Sequence, residues 1–211
     1  MKKRNILTAI AVMAALATLT TGCVVRTGTD RSKHITRNVR VAEFERINIA
    51  GNFDVEYVQG DSISVLVEGK ERLLNATDIR VEEGTLFIKM KPLSVSGFRG
   101  SVKVLVTSPD LIAVNMTGNG GFTVDGHVDT DHLTLSLTGN GDIDFNDLIC
   151  DRLDLQLTGN GDITVEGLTC GYVNMLLTGN GDITVAGDAR KMDMRKTGNG
   201  DINMEKLNIA D

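Results

Sequence analysis

The chain has 211 residues, of which 41% are hydrophobic and 4% aromatic, with 23 glycines, two prolines and no tryptophan. A chain of this length can bury a substantial core, either as one domain or as two small ones. Many glycines with few prolines and aromatics favour short strands and tight turns over helical bundles. The formal net charge of −6 argues against nucleic acid as a partner, because nucleic-acid binding depends on basic side chains.

Residues 1–22 have the layout of a lipoprotein signal peptide. A basic MKKRN is followed by the apolar ILTAIAVMAALATL and then by TTGC, a stretch too short and wrongly flanked for a spanning helix. Gly22-Cys23 resembles a bacterial lipobox, although Thr20 stands where leucine is commonest. We therefore predict that Cys23 is acylated and holds the protein on a membrane, since each buried CH₂ contributes ~0.8 kcal/mol. The alternative is an ordinary signal peptide with an incidental cysteine.

Residues 23–38 are polar and lack periodicity, which predicts a lipidated tether between the membrane and the folded part. Val24, rather than aspartate, follows the cysteine, and this resembles lipoproteins that are sorted to an outer membrane. Removal of residues 1–22 leaves 19 basic and 28 acidic residues, a formal charge of −9. Such a charge disfavours electrostatic docking on anionic membrane lipids. The predicted attachment to the membrane therefore depends on the acyl chains of Cys23 alone.

Residues 39–110 form a predicted N-terminal β region. Apolar and polar residues alternate in FERINIAGNFDVEYV (44–58), ISVLVEG (63–69), DIRVEEGTLFIKM (78–90) and VKVLVT (102–107). Alternation with period two is the mark of half-buried strands. Glu82-Glu83-Gly84 separates two such runs and predicts a hairpin turn.

A repeat occupies residues 111–211. LTGNGDI occurs at 137–143, 157–163 and 177–183, with looser copies at 116–122 and 196–202, so that successive copies start 21, 20, 20 and 19 residues apart. Self-similarity at this period indicates a solenoid in which each repeat is one coil. The runs before and after each motif alternate, and a coil of about 20 residues is too short for a strand plus a crossover helix. The leucine-rich-repeat signature is missing.

These observations predict an all-β fold. Residues 111–211 are expected to form a right-handed parallel β-helix, or β-solenoid, with coils of ~20 residues stacked ~4.8 Å apart. The strands of 39–110 are expected to precede it, either as a β-sandwich-like unit or as degenerate coils. The inward positions after the motif are predicted in pairs: Ile143/Phe145, Ile163/Val165, Ile183/Val185 and Ile202/Met204.

The repeated TGNG is predicted to be a corner at which the chain turns sharply, with glycine supplying backbone angles that other residues resist. In a stack of coils the same offset falls in one column. Asparagine tolerates the left-handed conformation, and its amide can bond to the neighbours above and below. A ladder is therefore expected from Asn119, Asn140, Asn160, Asn180 and Asn199.

A functional alternative for the same motif is a column of carboxylates made by Asp142, Asp162, Asp182 and Asp201. The motif resembles the calcium-binding G-G-x-G-x-D nonapeptide, but that repeat has a period of nine residues. Calcium takes six to eight oxygen ligands, and one aspartate per coil supplies few of them. We therefore expect no metal site, and expect each carboxylate to accept hydrogen bonds from turn amides instead.

Cys150 and Cys170 occupy the same offset in consecutive coils. Two alternatives are open, because stacked Cα atoms ~4.8 Å apart lie within disulfide range whereas side chains on adjacent parallel strands point the same way. The pair is either a disulfide or two buried thiols. No CxxC, HExxH, GxSxG or phosphate-binding glycine loop is present, and His127 and His132 flank an acidic turn. We predict no catalytic residue and no cofactor.

Several stretches carry a family resemblance: FERINIAGNFDVEYVQGD, LFIKM, VKVLVTSPDLIAVNMTGNGGFTV and the successive LTGNGDI copies. Together they resemble the head GIN domain of putative auto-transporter adhesins, which is common in lipoproteins of Bacteroidetes. The resemblance covers roughly 44–211. It implies a parallel β-helix preceded by β-sandwich-like strands, with 39–211 as one continuous domain, and it implies no catalytic residues.

The favoured function is a non-enzymatic binding or adhesion module of the cell envelope, exported as an outer-membrane lipoprotein on the periplasmic face or the cell surface, with a protein or a glycan as ligand. One alternative is a polysaccharide-acting lyase or hydrolase on a β-helix. The scarcity of aromatic residues after 111, where only Phe122, Phe145 and Tyr172 occur, counts against a sugar-stacking site. An envelope structural or signalling accessory is the other alternative.

Overall fold

The computed structural model describes residues 33–91 and 100–209. The predicted signal peptide, Cys23 and the first part of the predicted tether lie outside these ranges. Among the described residues, no helix has the length and apolar character needed to cross a membrane.

The described residues form fourteen strands and one short helix. Their bounds are β1 His34–Asn38, β2 Arg46–Gly51, β3 Phe53–Gln59, β4 Ser64–Lys70, α1 Glu71–Ala76, β5 Thr77–Glu82, β6 Thr85–Met90, β7 Val102–Ser108, β8 Ala113–Gly118, β9 Gly121–Gly139, β10 Asp142–Gly159, β11 Ile163–Gly179, β12 Ile183–Gly198, β13 Ile202–Asn203 and β14 Leu207–Ile209.

The repeat region is a stack of parallel coils, which confirms the predicted β-solenoid. Strands β9, β10, β11 and β12 pair in that order, each with the copy of itself in the next coil. The ladder of β10 on β9 breaks between Phe145 and Asp147, and it skips Asp151. These two bends divide each coil into three sides. In β10 the first side is 142–145, the second is 147–150, and the third and longest, called here the long side, is 152–159.

Apolar side chains fill the inside of the coils. The inward residues of the long side of β10 are Leu153, Leu155 and Leu157, all at most 2% exposed. The predicted inward pairs after the motif are buried in β10, β11 and β12, and Ile202 and Met204 of the last copy pack against the core. Alternation within one coil and repetition between coils together place these residues in columns, so the core runs the length of the stack. Ring stacking continues it from Tyr57 through Phe122 to Phe145.

The N-terminal β region is a set of degenerate coils, the second of the two predicted arrangements. Strand β2 pairs in parallel with β6 and β8, and β3 pairs in parallel with β7 and β9. Gly51 faces Gly118 in this register. AGNFD at 50–54 is therefore a sixth, altered copy of the TGNGD corner. It carries Phe53 where the other copies have their second glycine, which hides it from a search for the motif.

Antiparallel strands complete the N-terminal end. Strands β5 and β6 form the predicted hairpin, with Glu82 facing Thr85. Glu83 and Gly84 between them have φ values of 49° and 71°, as in the two-residue turns that match strand twist. Strand β4 pairs with β7 and β1. This corrects the predicted tether of 23–38, because residues 34–38 are strand β1 and not a linker. Residues 34–38 form a strand because they pair with the backbone of β4, and their own polar sequence gives no sign of it.

The last coil is covered on only part of its circumference. Strand β13 pairs with Ile183 and Thr184 of β12, and β14 pairs with its residues 187–189. Within the described ranges, no strand pairs with residues 190–198 on the side away from β11. Met194 is consequently 56% exposed, whereas Met175, its equivalent one coil earlier, is fully buried. The long side therefore ends in a free edge.

Candidate functional site

The TGNG corner explains its two glycines in different ways. The first glycine of each copy has φ between 120° and 140°, a region that side-chain-bearing residues rarely adopt. The second glycine has no such φ, but its position touches the coil before it. A Cβ on Gly161 would lie 2.8 Å from the carbonyl carbon and 2.9 Å from the nitrogen of Gly141, and closer still to the carbonyl oxygen. The first glycine is required both by its backbone conformation and by the close approach of two coils, and the second by the close approach alone.

The predicted asparagine ladder is present along this corner. The Nδ2 group of each asparagine donates to the Oδ1 atom of its equivalent one coil earlier, over 2.8 Å for Asn140, Asn160 and Asn180 and 3.1 Å for Asn199. The backbone argument for asparagine was wrong, since Glu83 is the only described non-glycine residue with positive φ. The ladder therefore depends on side-chain amides that link successive coils, while glycine makes the turn.

The aspartates after the corner also link coils. Asp142, Asp162 and Asp182 each use Oδ1 to accept a hydrogen bond from the backbone N–H of the aspartate in the next coil, over 3.1, 2.8 and 2.6 Å. The column ends at Asp201, whose Oδ1 accepts from Lys196 Nζ at 2.7 Å. These hydrogen bonds join successive coils, whereas the sequence analysis expected them to stay within one turn. Across the part of the chain that the structure describes, no three His, Cys, Asp or Glu side chains are grouped as metal ligands.

The long side carries a network of polar side chains on its outer surface, called here the Asp154 cluster: His132, Arg152, Asp154, Tyr172, Asn174 and Asp193. Arg152 binds the Asp154 carboxylate with both Nε and Nη2, each at 2.7 Å. His132 Nε2 lies 2.7 Å from Asp154 Oδ2, and Asn174 Nδ2 donates to Asp154 Oδ1 at 3.0 Å. The Arg152 guanidinium lies 4.8 Å from the centre of the Tyr172 ring, and the Tyr172 hydroxyl donates to Asp193 at 2.6 Å.

The electrostatics of this cluster favour a fixed charge over proton transfer. The hydrogen bonds from Arg152, followed by those from Asn174 and His132, outweigh partial burial and lower the pKa of Asp154 to about 2. The hydrogen bond to Asp193 raises the pKa of Tyr172 above its usual value. Asp154 thus stays an anion and Tyr172 a neutral phenol near neutral pH. A general acid or base needs a pKa near the working pH, which neither group has.

Sequence reasoning missed this cluster because its members differ from coil to coil. His132, Arg152, Tyr172 and Lys191 share one column, and Thr134, Asp154, Asn174 and Asp193 share the column two residues further on. His132, which flanks the acidic turn noted in the sequence, is half exposed and bonded to Asp154. His127, the other histidine of the solenoid, lies 2.9 Å from Asp147. Aligning the outward offsets of the repeats would have brought these residues together.

The two cysteines are free thiols and not a disulfide, with Sγ atoms 3.2 Å apart and side chains that are almost fully buried. They lie where the second side meets the long side. The sequence left open a disulfide or two buried thiols, and the structure has two buried thiols.

Comparisons with known proteins agree with this geometry. The family model described as "Putative auto-transporter adhesin, head GIN domain" matches residues 43–175 and 147–211. A solved structure named as a putative adhesin from Parabacteroides distasonis is 25% identical, with a TM-score of 0.78 over 84% of this chain and 77% of that one. No curated protein matches the chain.

Two further structures share the fold. A putative adhesin from Bacteroides fragilis is 24% identical, with a TM-score of 0.67 over 82% of this chain and 97% of that one. A protein from Parabacteroides distasonis named as a putative lipid binding protein is 19% identical, with a TM-score of 0.57 over 83% of this chain and 98% of that one. The family match spans nearly all of the described residues and includes every copy of the corner motif, so the chain belongs to the family described as putative auto-transporter adhesin, head GIN domain.

Proposed function

We propose that the protein is a lipid-anchored, non-enzymatic adhesion module of the bacterial cell envelope, held on the outer membrane through Cys23, and that the outer surface of its long side binds a protein or glycan ligand. Membership of an adhesin-like family supports the binding role. The location and the anchor rest on the sequence of residues 1–23.

The observation that carries the choice of surface is the placement of the two half-buried aromatic rings. Among the described aromatic residues, all but Phe87 and Tyr172 are buried, and both of these lie on the outer surface of the parallel sheet that forms the long side. An arginine covers each ring, with Arg152 4.8 Å from the Tyr172 centroid and Arg80 5.4 Å from that of Phe87. Aromatic and arginine side chains are the types that binding surfaces concentrate.

The side chains of the Asp154 cluster are held rigidly. Because hydrogen bonds within the Asp154 cluster fix its side chains before any ligand arrives, binding costs little ordering of side chains. A flat surface of this kind suits an extended or planar partner better than a small molecule, which prefers a concave pocket. The lowered pKa of Asp154 and the raised pKa of Tyr172 make neither group suited to acid–base catalysis near neutral pH.

Adhesion requires exposure to the outside, so the first experiment treats intact cells with a protease that does not cross the outer membrane. Digestion of the wild-type protein is expected. Protection on intact cells, with digestion after lysis, would place the protein in the periplasm and end the adhesion proposal. In parallel, metabolic labelling with a fatty acid should mark the wild-type chain and leave Cys23→Ser unlabelled; a labelled mutant would contradict acylation at Cys23.

The surface is tested separately with the soluble Cys23→Ser chain on mucin-coated plates, since mucin offers both protein and glycan. Tyr172→Ala removes a ring from the long side, and Ile149→Ala removes an apolar group that is 40% exposed on the second side as a control. Retention on the plate should fall at least fivefold for Tyr172→Ala and stay unchanged for Ile149→Ala. Equal retention of both variants would move the binding surface elsewhere.

A further inference from the structure

A column of four small side chains runs through the corner between the second side and the long side. Thr130, Cys150, Cys170 and Ala189 follow one another in register in successive coils. All four are between 3% and 7% exposed. The Cys150 thiol donates to the Cys170 sulfur over 3.2 Å. The parallel ladder thus holds two thiols in contact without a bond between them.

A shallow cleft of about 220 Å³ opens onto this column. Both cysteines line it, and so does Thr130, whose Oγ1 atom is buried with no hydrogen-bond partner. A buried hydroxyl without a partner is uncommon and marks a place where a polar group can still be accommodated. Both cysteines are almost fully buried, and the cleft that they line is the route by which a small reagent would reach them.

The two thiols are not equivalent. The hydrogen bond from Cys150 lowers the pKa of Cys170 to about 7, with further help from the backbone around Tyr172, Leu153 and Gly171 and against the effect of burial. The same hydrogen bond, together with burial, raises the pKa of Cys150. Of the two thiols, Cys170 is therefore the one that ionises more readily, and Cys150 is the thiol that donates a hydrogen bond to it. A thiolate is the attacking species in thiol–disulfide exchange.

The rim of the cleft is negatively charged. Asp129 and Asp131 line it from one coil and Asp151 from the next, with Arg190 as the one basic residue of the lining. The three carboxylates repel anions and attract cations at short range. A reagent that enters the cleft is thus selected by charge as well as by size.

We propose that Cys150 and Cys170 form a redox-active dithiol, which is oxidised to an inter-coil disulfide by exchange with an external disulfide that carries positive charge. Cys170 attacks one sulfur of the external disulfide, forming a mixed disulfide and releasing the first external thiolate. That thiolate takes the proton of Cys150, whose sulfur then attacks Cys170 and releases the second external thiolate, which is protonated from water. Two protein thiols are oxidised and one external disulfide is reduced to two thiols.

The proposal is independent of the adhesion surface, since the cleft and the Asp154 cluster share no residue. Its consequence is a covalent link between β10 and β11 that forms only when the surroundings are oxidising. Closing a loop of about 20 residues restricts the unfolded chain, and the chain-entropy model then favours the folded state.

The test uses the Cys23→Ser chain, in which Cys150 and Cys170 are the remaining cysteines. The folded protein is incubated with cystamine, a cationic disulfide, or with oxidised glutathione, an anionic one. Cystamine should remove both thiols, lower the intact mass by two hydrogen atoms and react about tenfold faster than glutathione disulfide at low salt. A folded chain that keeps both thiols with cystamine, while the urea-unfolded chain is oxidised, would overturn the proposal.

Single variants assign the roles. Cys150→Ala removes the hydrogen bond to Cys170 but keeps its backbone partners, so this variant should react more slowly than the wild type and hold a stable mixed disulfide, and Cys170→Ala should react more slowly still. Alanine fits the column because Ala189 already occupies it one coil further on. Equal rates for the two variants would contradict the assigned attack by Cys170. Asp129→Asn with Asp131→Asn, at exposed positions that leave the core intact, should remove most of the preference for cystamine; an unchanged preference would contradict the role of the rim.

Discussion

Gly161→Ala should destabilise the protein far more than an alanine substitution at an exposed strand glycine. The added Cβ would lie 2.8 Å from the carbonyl carbon of Gly141 and 2.9 Å from its nitrogen, and closer still to its oxygen. All three atoms belong to the backbone, so no side chain can rotate away to make room. Normal contact distances are above 3 Å, so the two coils must separate at this corner by roughly 1 Å or more.

The expected cost follows from the hydrogen bonds that cross this gap. Asn160 N and Gly161 N both donate to Gly139 O, at 2.8 and 3.3 Å. The amide bond from Asn160 to Asn140 and the bond from Asp162 N to Asp142 cross the same gap, at 2.8 and 3.1 Å. At about 1 kcal/mol for each bond, their loss removes about 4 kcal/mol. A domain of this size would then melt roughly 8–16 °C lower.

Thermal unfolding followed by far-ultraviolet circular dichroism measures the difference. Gly126→Ala is the matched control, because a Cβ there meets no atom within 4 Å and no positive φ is involved. That variant should melt within about 2 °C of the wild type, as surface substitutions usually do. If Gly161→Ala melts at the same temperature as Gly126→Ala, the coils are not held by close approach at the second glycine, and the explanation of the repeated motif fails.

Asn160→Ala removes one rung of the asparagine ladder and should lower the free energy of unfolding by about 1–2 kcal/mol in urea titration; an unchanged midpoint would mean that the amides do not support one another. The pKa of Asp154 is lowered from 3.8 to about 2, so its stabilisation is present above pH 4 and is lost as the pH falls toward 2. Asp154→Asn should therefore lose about 1 kcal/mol at pH 7, discounted for partial exposure, and little at pH 2; an equal loss at both pH values would refute this. Chelation, or millimolar calcium, should leave the melting temperature unchanged, whereas a calcium-dependent rise that disappears in Asp162→Asn with Asp182→Asn would make the aspartate column a metal site.

The sequence predicts the solenoid well because its determinants are local and repeated. Period-two alternation places Ile163 and Val165 inside, and a period of about 20 residues stacks Asn160 on Asn140. The structure differs from the prediction where strands with different sequences pair with one another. Strand β1 has a polar sequence and forms by antiparallel pairing with β4 along its whole length, from His34 opposite Lys70 to Asn38 opposite Leu66. The Asp154 cluster depends on different residue types meeting at one offset, which no repeated letter signals.

Contacts between neighbouring coils do not fix how many coils this solenoid contains. Strands β10 and β11 each pair only with the strands directly before and after them, and the TGNG corners of the repeat present the same glycines and asparagine to one another. Excision of residues 143–162 would join Asp142 to Ile163, whose register partner is Ile143, and would leave every remaining interface of the same kind. The rod can therefore lengthen or shorten in whole steps of about 4.8 Å, so that duplication or loss of a single coil adjusts its reach without redesign of the core.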